Sequence, residues 1–125
     1  VRYPVTMTDD DVYDAMSDLL EKYNIGVLKL KHHEPIFVEA DSPMVRMLVD
    51  IYRRHSGDTE SGPKVIGGGT YARAAKNVIA YGALFPGDED LMHQKNEYLS
   101  IERLEQMTKI YAEAIYKLSS GEYNS

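Results

Sequence analysis

Cysteine is absent from the 125-residue chain. That excludes a disulfide scaffold, a thiolate zinc site and a cysteine nucleophile together, and it fits a reducing cytoplasm. Long apolar runs are missing too: none exceeds about four residues, far short of the ~20 that a membrane-spanning helix requires. There is no basic excess. Fourteen Lys and Arg stand against twenty Asp and Glu, for a net charge of −6 and a pI near 5.1. Nucleic acid and anionic membrane surfaces call for a basic stripe, so both are excluded as expected partners. An initiator Met and a basic-then-apolar leader are lacking as well. The chain opens on Val1-Arg2-Tyr3-Pro4-Val5, the alternation of a strand already under way, and a segment of a longer protein is therefore expected.

What is present is ordinary globular composition, 43% apolar and 27% charged. The length suits one compact domain or two small ones. Thr8 is a good N-cap, followed by Asp9, Asp10 and Asp11 at the positive end of a helix dipole. Val12, Ala15, Met16, Leu19, Leu20 and Tyr23 then recur at helical spacing up to a stop at Asn24–Gly26. The acids on the opposite face read as a solvated surface. Ile25 to His33 alternates and reads as a half-buried strand, broken at Glu34-Pro35, with Ile36-Phe37-Val38 extending beyond it. Ser42-Pro43 starts a second helix, with Ser as cap and Pro at the first helical position. Its stripe runs from Met44 to Tyr52 and ends at Gly57. After a polar loop, Lys64-Val65-Ile66 is a very short strand. Gly67-Gly68-Gly69 follows, and Thr70 caps a short helix reaching Asn77. Val78 to Phe85 reads as a buried strand closed by Pro86-Gly87. Ser100 caps a last helix ending at Gly121. The class expected from this order is mixed α/β.

Two features could carry chemistry. Three glycines between a strand and a helix let the backbone approach a ligand with its amides outward. The run matches neither common phosphate signature, so a tight corner remains the plain alternative to a phosphate or carboxylate cradle. The second feature is His93, in a loop after a strand end beside Asp88, Glu89 and Asp90, where α/β proteins place ligands. The other histidines offer less. His32 and His33 are adjacent on an expected strand and face opposite sides. His55 sits in a basic helix C-terminus, where a cation suits the dipole.

Three strings in order, Val65-Ile66-Gly67-Gly68-Gly69-Thr70-Tyr71-Ala72-Arg73-Ala74, Phe85-Pro86-Gly87-Asp88-Glu89-Asp90 and His93-Gln94-Lys95-Asn96-Glu97-Tyr98, carry a resemblance. With the final-helix stretch from Ile110 to Tyr116, they make the chain similar to the C-terminal part of peptidase V-like Xaa-His dipeptidases. These belong to the dinuclear zinc peptidase family of carnosinases, aminoacylases and carboxypeptidase G-type enzymes. The resemblance implies half of a ferredoxin-like α+β lid over residues 1–38, and the closing part of a zinc-exopeptidase α/β catalytic domain over residues 39–125.

It also implies roles. His93 matches the family's last zinc ligand, and neutral imidazole suits zinc. Arg2 matches the arginine that grips the dipeptide's terminal carboxylate, for which a guanidinium fork is suited. Gly68, Gly69 and Thr70 match the loop lining the substrate pocket, and Asn96 and Glu97 belong to the same motif, where they are expected either to support the metal ligand or to cap the chain. The cofactor implied is zinc, two ions in the parent, with manganese or cobalt as substitutes. The reaction implied is peptide hydrolysis by a metal-activated water. The family's other ligands and its general base have no counterpart here. The chain alone is therefore expected to be inactive, to need the N-terminal half of the same protein as partner, and to self-associate through uncovered apolar faces. The expected location is cytoplasmic. The contrasting expectation is a non-catalytic module binding a small anion at the glycine run.

Overall fold

The computed structural model describes residues 2–28, 33, 35–66, 70–82, 84–121 and 123. Their regular structure is helical: α1 (Asp9–Lys22), α2 (Pro43–Ser56), a single 3-10 turn (Tyr71–Ala74) and α3 (Ile101–Ser120). The chain divides into two compact units. The first holds 1–37 and 67–79, the second 38–66 and 80–125.

In the first unit, α1 is set by its own ends. The Thr8 amide donates to Asp11 Oδ2 at 2.7 Å and the Asp11 amide to Thr8 Oγ1 at 3.2 Å, a reciprocal capping box. The bonds from Thr8 hold the Asp11 carboxyl below its usual range. At the other end Asn24 turns left-handed at φ 50°, and the Ile25 amide reaches back to the Leu20 carbonyl. No residue of α1 is buried. Leu19 is 58% exposed although it lies on the apolar stripe.

The second unit has a core. Ser42 Oγ accepts the Val45 amide, Pro43 fills the first helical position, and Gly57 at φ 73° ends α2. Val45, Leu48 and Ile51 line one face and are buried, Ile51 completely. α2 packs against α3, where Ile110 and Ala114 are buried, and the buried Phe85 stacks on Tyr52. Burying a side chain of this kind contributes about 1.5–3 kcal/mol. Tyr81 fastens the intervening segment: its hydroxyl donates to the Leu48 carbonyl at 2.7 Å, and its ring meets Tyr111 edge-on at 6.0 Å. Burial pushes the Tyr81 hydroxyl up to about 12, so it remains a donor.

The three expected helix starts at Thr8, Ser42 and Ser100 agree with the structure. The mixed α/β class does not. Helix accounts for 47% and there is no strand or sheet among the described residues. Among the described residues, neither the strands of a catalytic sheet nor those of a ferredoxin-like half-lid are present. Segments 2–5, 25–28, 36–38, 64–66 and 78–82 carry no ladder, while Lys29 to His32 fall outside the described residues. The reason is physical. Alternation says which side chains could share a face, but a strand exists only when a second segment hydrogen-bonds to it in register. Some of these side chains are left uncovered as well: Leu28 is 80% exposed and Val65 wholly so. The helix expected from Thr70 to Asn77 is shortened to one 3-10 turn, since Ala75 is already extended at φ −143°.

Candidate functional site

Of the expected site residues, His93, Asn96 and Glu97 share one turn of the second unit, whereas Arg2 and Thr70 belong to the first. Gly68 and Gly69 lie outside the described residues. Arg2 is exposed. Thr70 spends its hydroxyl on the chain itself, accepting the Ala72 amide at 3.3 Å as the cap of the 3-10 turn.

The His93 turn is held in place from behind. Arg103, one turn into α3, grips Asp88 Oδ1 through Nη2 at 2.8 Å and Nε at 3.1 Å. Its guanidinium also lies over the Phe85 ring, 4.6 Å from the centroid. The Phe85 ring in turn stacks with Tyr52 of α2 at 6.0 Å. Arg103 Nη1 donates to Gln106 Oε1 at 2.8 Å, and Gln106 Nε2 donates to the His55 carbonyl at 2.9 Å. Glu113 closes this network, taking His55 Nε2 on one oxygen and Arg54 Nη2 on the other, both at 2.7 Å. The hydrogen bond from His55, with Arg54 beside it, holds the Glu113 carboxyl below its ordinary range. Tyr52 ends its side in Asp58 at 2.8 Å, whose carboxyl is held well below the usual range by bonds from Ser61 and then Tyr52.

His93 itself is exposed and its backbone is left-handed at φ 63°, as is that of Asn96 at φ 61°. The carboxylates near it have other work. Asp88 holds Arg103, Asp90 Oδ1 accepts the Met92 amide at 3.2 Å, and Glu97 Oε2 accepts the His93 amide at 3.2 Å. Among the described residues no three His, Asp or Glu side chains gather where they could hold a metal ion. A catalytic zinc takes about three protein ligands. One imidazole does not fit that requirement, so these residues do not form a metal centre by themselves. A hollow of about 320 Å³ elsewhere in the second unit is lined by Arg46, Asp50, Arg54 and Lys117 among others, and by none of the expected site residues.

Sequence reasoning missed the two long-range anchors, His55–Glu113 and Asp88–Arg103. They join residues 58 and 15 positions apart, and neither pair has a spacing that announces it. Among the described residues no helix is long and apolar enough to cross a membrane.

The comparisons with known proteins complete the description. Residues 1–117 match peptidase family M20/M25/M40. A protein of Staphylococcus haemolyticus named "Putative dipeptidase" is 42% identical over 118 residues, 94% of this chain and 25% of that protein. Proteins of the same name from Staphylococcus epidermidis and Staphylococcus saprophyticus are 41% and 39% identical over the same shares. The chain thus spans about a quarter of the length of these relatives. No solved structure gives a match. On the match that runs along nearly all of its length, the chain belongs to peptidase family M20/M25/M40.

Proposed function

We propose that the chain is the C-terminal segment of a cytoplasmic, zinc-dependent dipeptidase acting on short peptides of the Xaa-His type, with manganese or cobalt able to replace zinc. The observation that carries this reading is the family match over residues 1–117, joined to relatives that bear the dipeptidase name. In this reading residues 1–38 close a lid and residues 39–125 close the catalytic domain. His93 supplies one donor. Arg2 receives the substrate's carboxylate, and Gly68, Gly69 and Thr70 border the substrate. The remainder of a relative-length polypeptide is the partner that supplies the other groups, and the chain alone is inactive.

Two measurements on the chain as it stands test the reading. Incubated with an Xaa-His dipeptide and zinc, it leaves the peptide intact; turnover abolished by a chelator would overturn the inactive-segment assignment. In a zinc titration followed through imidazole resonances, His93 responds before His55, which Glu113 already holds. A His93 signal indifferent to zinc would remove its role as donor.

A further inference from the structure

The turn that carries His93 is closed by its own residues. The Gln94 amide donates to the Leu91 carbonyl at 3.0 Å and the Glu97 amide to the Gln94 carbonyl at 3.3 Å. Two non-glycine residues, His93 and Asn96, are left-handed within four positions. Asparagine tolerates that conformation better than most residues, because its short polar side chain can bond locally. Histidine, too, is among the non-glycine residues found there more often than most. A residue stays in a disfavoured backbone region only when its surroundings hold it there. Two bonds bear on His93: the Gln94-to-Leu91 bond closes the turn that has it at the third position, and its own N–H donates to Glu97 Oε2 at 3.2 Å.

We propose that Glu97 is the positioning residue for His93: its carboxylate accepts the His93 amide, secures that backbone within the turn, and so fixes the direction in which the imidazole leaves it. The inference rests on the reading of His93 as the chain's functional donor. It gives Glu97 a distinct task from that of the neighbouring acids, since Asp88 fastens the loop to α3 and Asp90 shapes the approach to Met92. Without the carboxylate, the His93 backbone loosens within the turn and its side chain moves with it.

The test is made on the isotope-labelled chain without metal. Glu97→Ala speeds hydrogen exchange at the His93 amide roughly tenfold and moves both its amide and its imidazole resonances. Glu97→Gln keeps an acceptor oxygen at the same reach and restores both signals. The methyl signals of Ile51 and Ile110 stay in place in each variant, reporting an intact core. A Glu97→Ala chain with the parent's His93 signals overturns the proposal, and so does a Glu97→Gln chain that behaves like Glu97→Ala. Because no metal enters this measurement, its failure is separate from that of the zinc reading, which the zinc titration decides.

Discussion

The two units contrast in what makes their helices. α1 has the more complete cap, a reciprocal Thr8–Asp11 box with three acids in its first turn, yet it buries nothing. α2 and α3 have simpler serine caps, but they bury Val45, Leu48, Ile51, Ile110 and Ala114. Local signals are therefore enough to write a helix of 14 residues into the structure, while only tertiary packing makes it part of a core. The difference also bears on function. The His93 turn is fastened within the packed unit through Asp88 and Phe85, whereas Arg2 and Thr70 belong to the other unit.

The contrast breaks most visibly under core truncation. Ile51→Ala removes a fully buried side chain and costs about 2–5 kcal/mol, read as a lower urea midpoint for the second unit. Leu19→Ala, on the exposed stripe of α1, changes stability by less than about 0.5 kcal/mol. Comparable losses at both positions would erase the distinction.

Acid sharpens the contrast next. Glu113 has a lowered carboxyl pKa, so its contribution is present above the ordinary glutamate range and is lost as pH falls through the lowered folded-state value. Thermal melts of the second unit should weaken below about pH 4, and Glu113→Gln should flatten that part of the profile. An unchanged profile in the variant would separate Glu113 from the acid response. In the first unit Thr8→Ala frays the start of α1, seen as faster amide exchange at Asp11 and Val12 with no change in the urea midpoint of the second unit. The smallest effect belongs to Asn96→Gly. Relief of its positive φ stabilises the His93 turn by about 0.5 kcal/mol, measurable as a slight rise in melting temperature.

The legible parts of the chain were those with short-range causes. Thr8, Ser42-Pro43 and Ser100 announced three helices, because a cap acts within three residues. Leu28, Val65 and Val78 alternated correctly for strands and formed none, since pairing depends on a distant segment that the pattern does not name. Within the candidate site, His93 and Glu97 were visible as parts of one string, and their bond spans only four positions. The His55–Glu113 and Arg103–Asp88 ties were not visible, because only the meeting of α2, α3 and the 80–90 segment brings them together. The expected contact of Thr70 with substrate also has a local competitor, the Ala72 amide that its hydroxyl already serves.

The central claim is that these residues supply a dipeptidase with one indispensable donor, His93. It is tested most directly by replacing the matching segment of the Staphylococcus haemolyticus relative with this chain, using that relative as positive control. The exchange protein should hydrolyse an Xaa-His dipeptide with zinc present, lose activity to a chelator, and fall to background in the His93→Ala form while keeping its melting temperature. A folded His93→Ala form that hydrolyses the peptide at the unsubstituted rate would contradict the account.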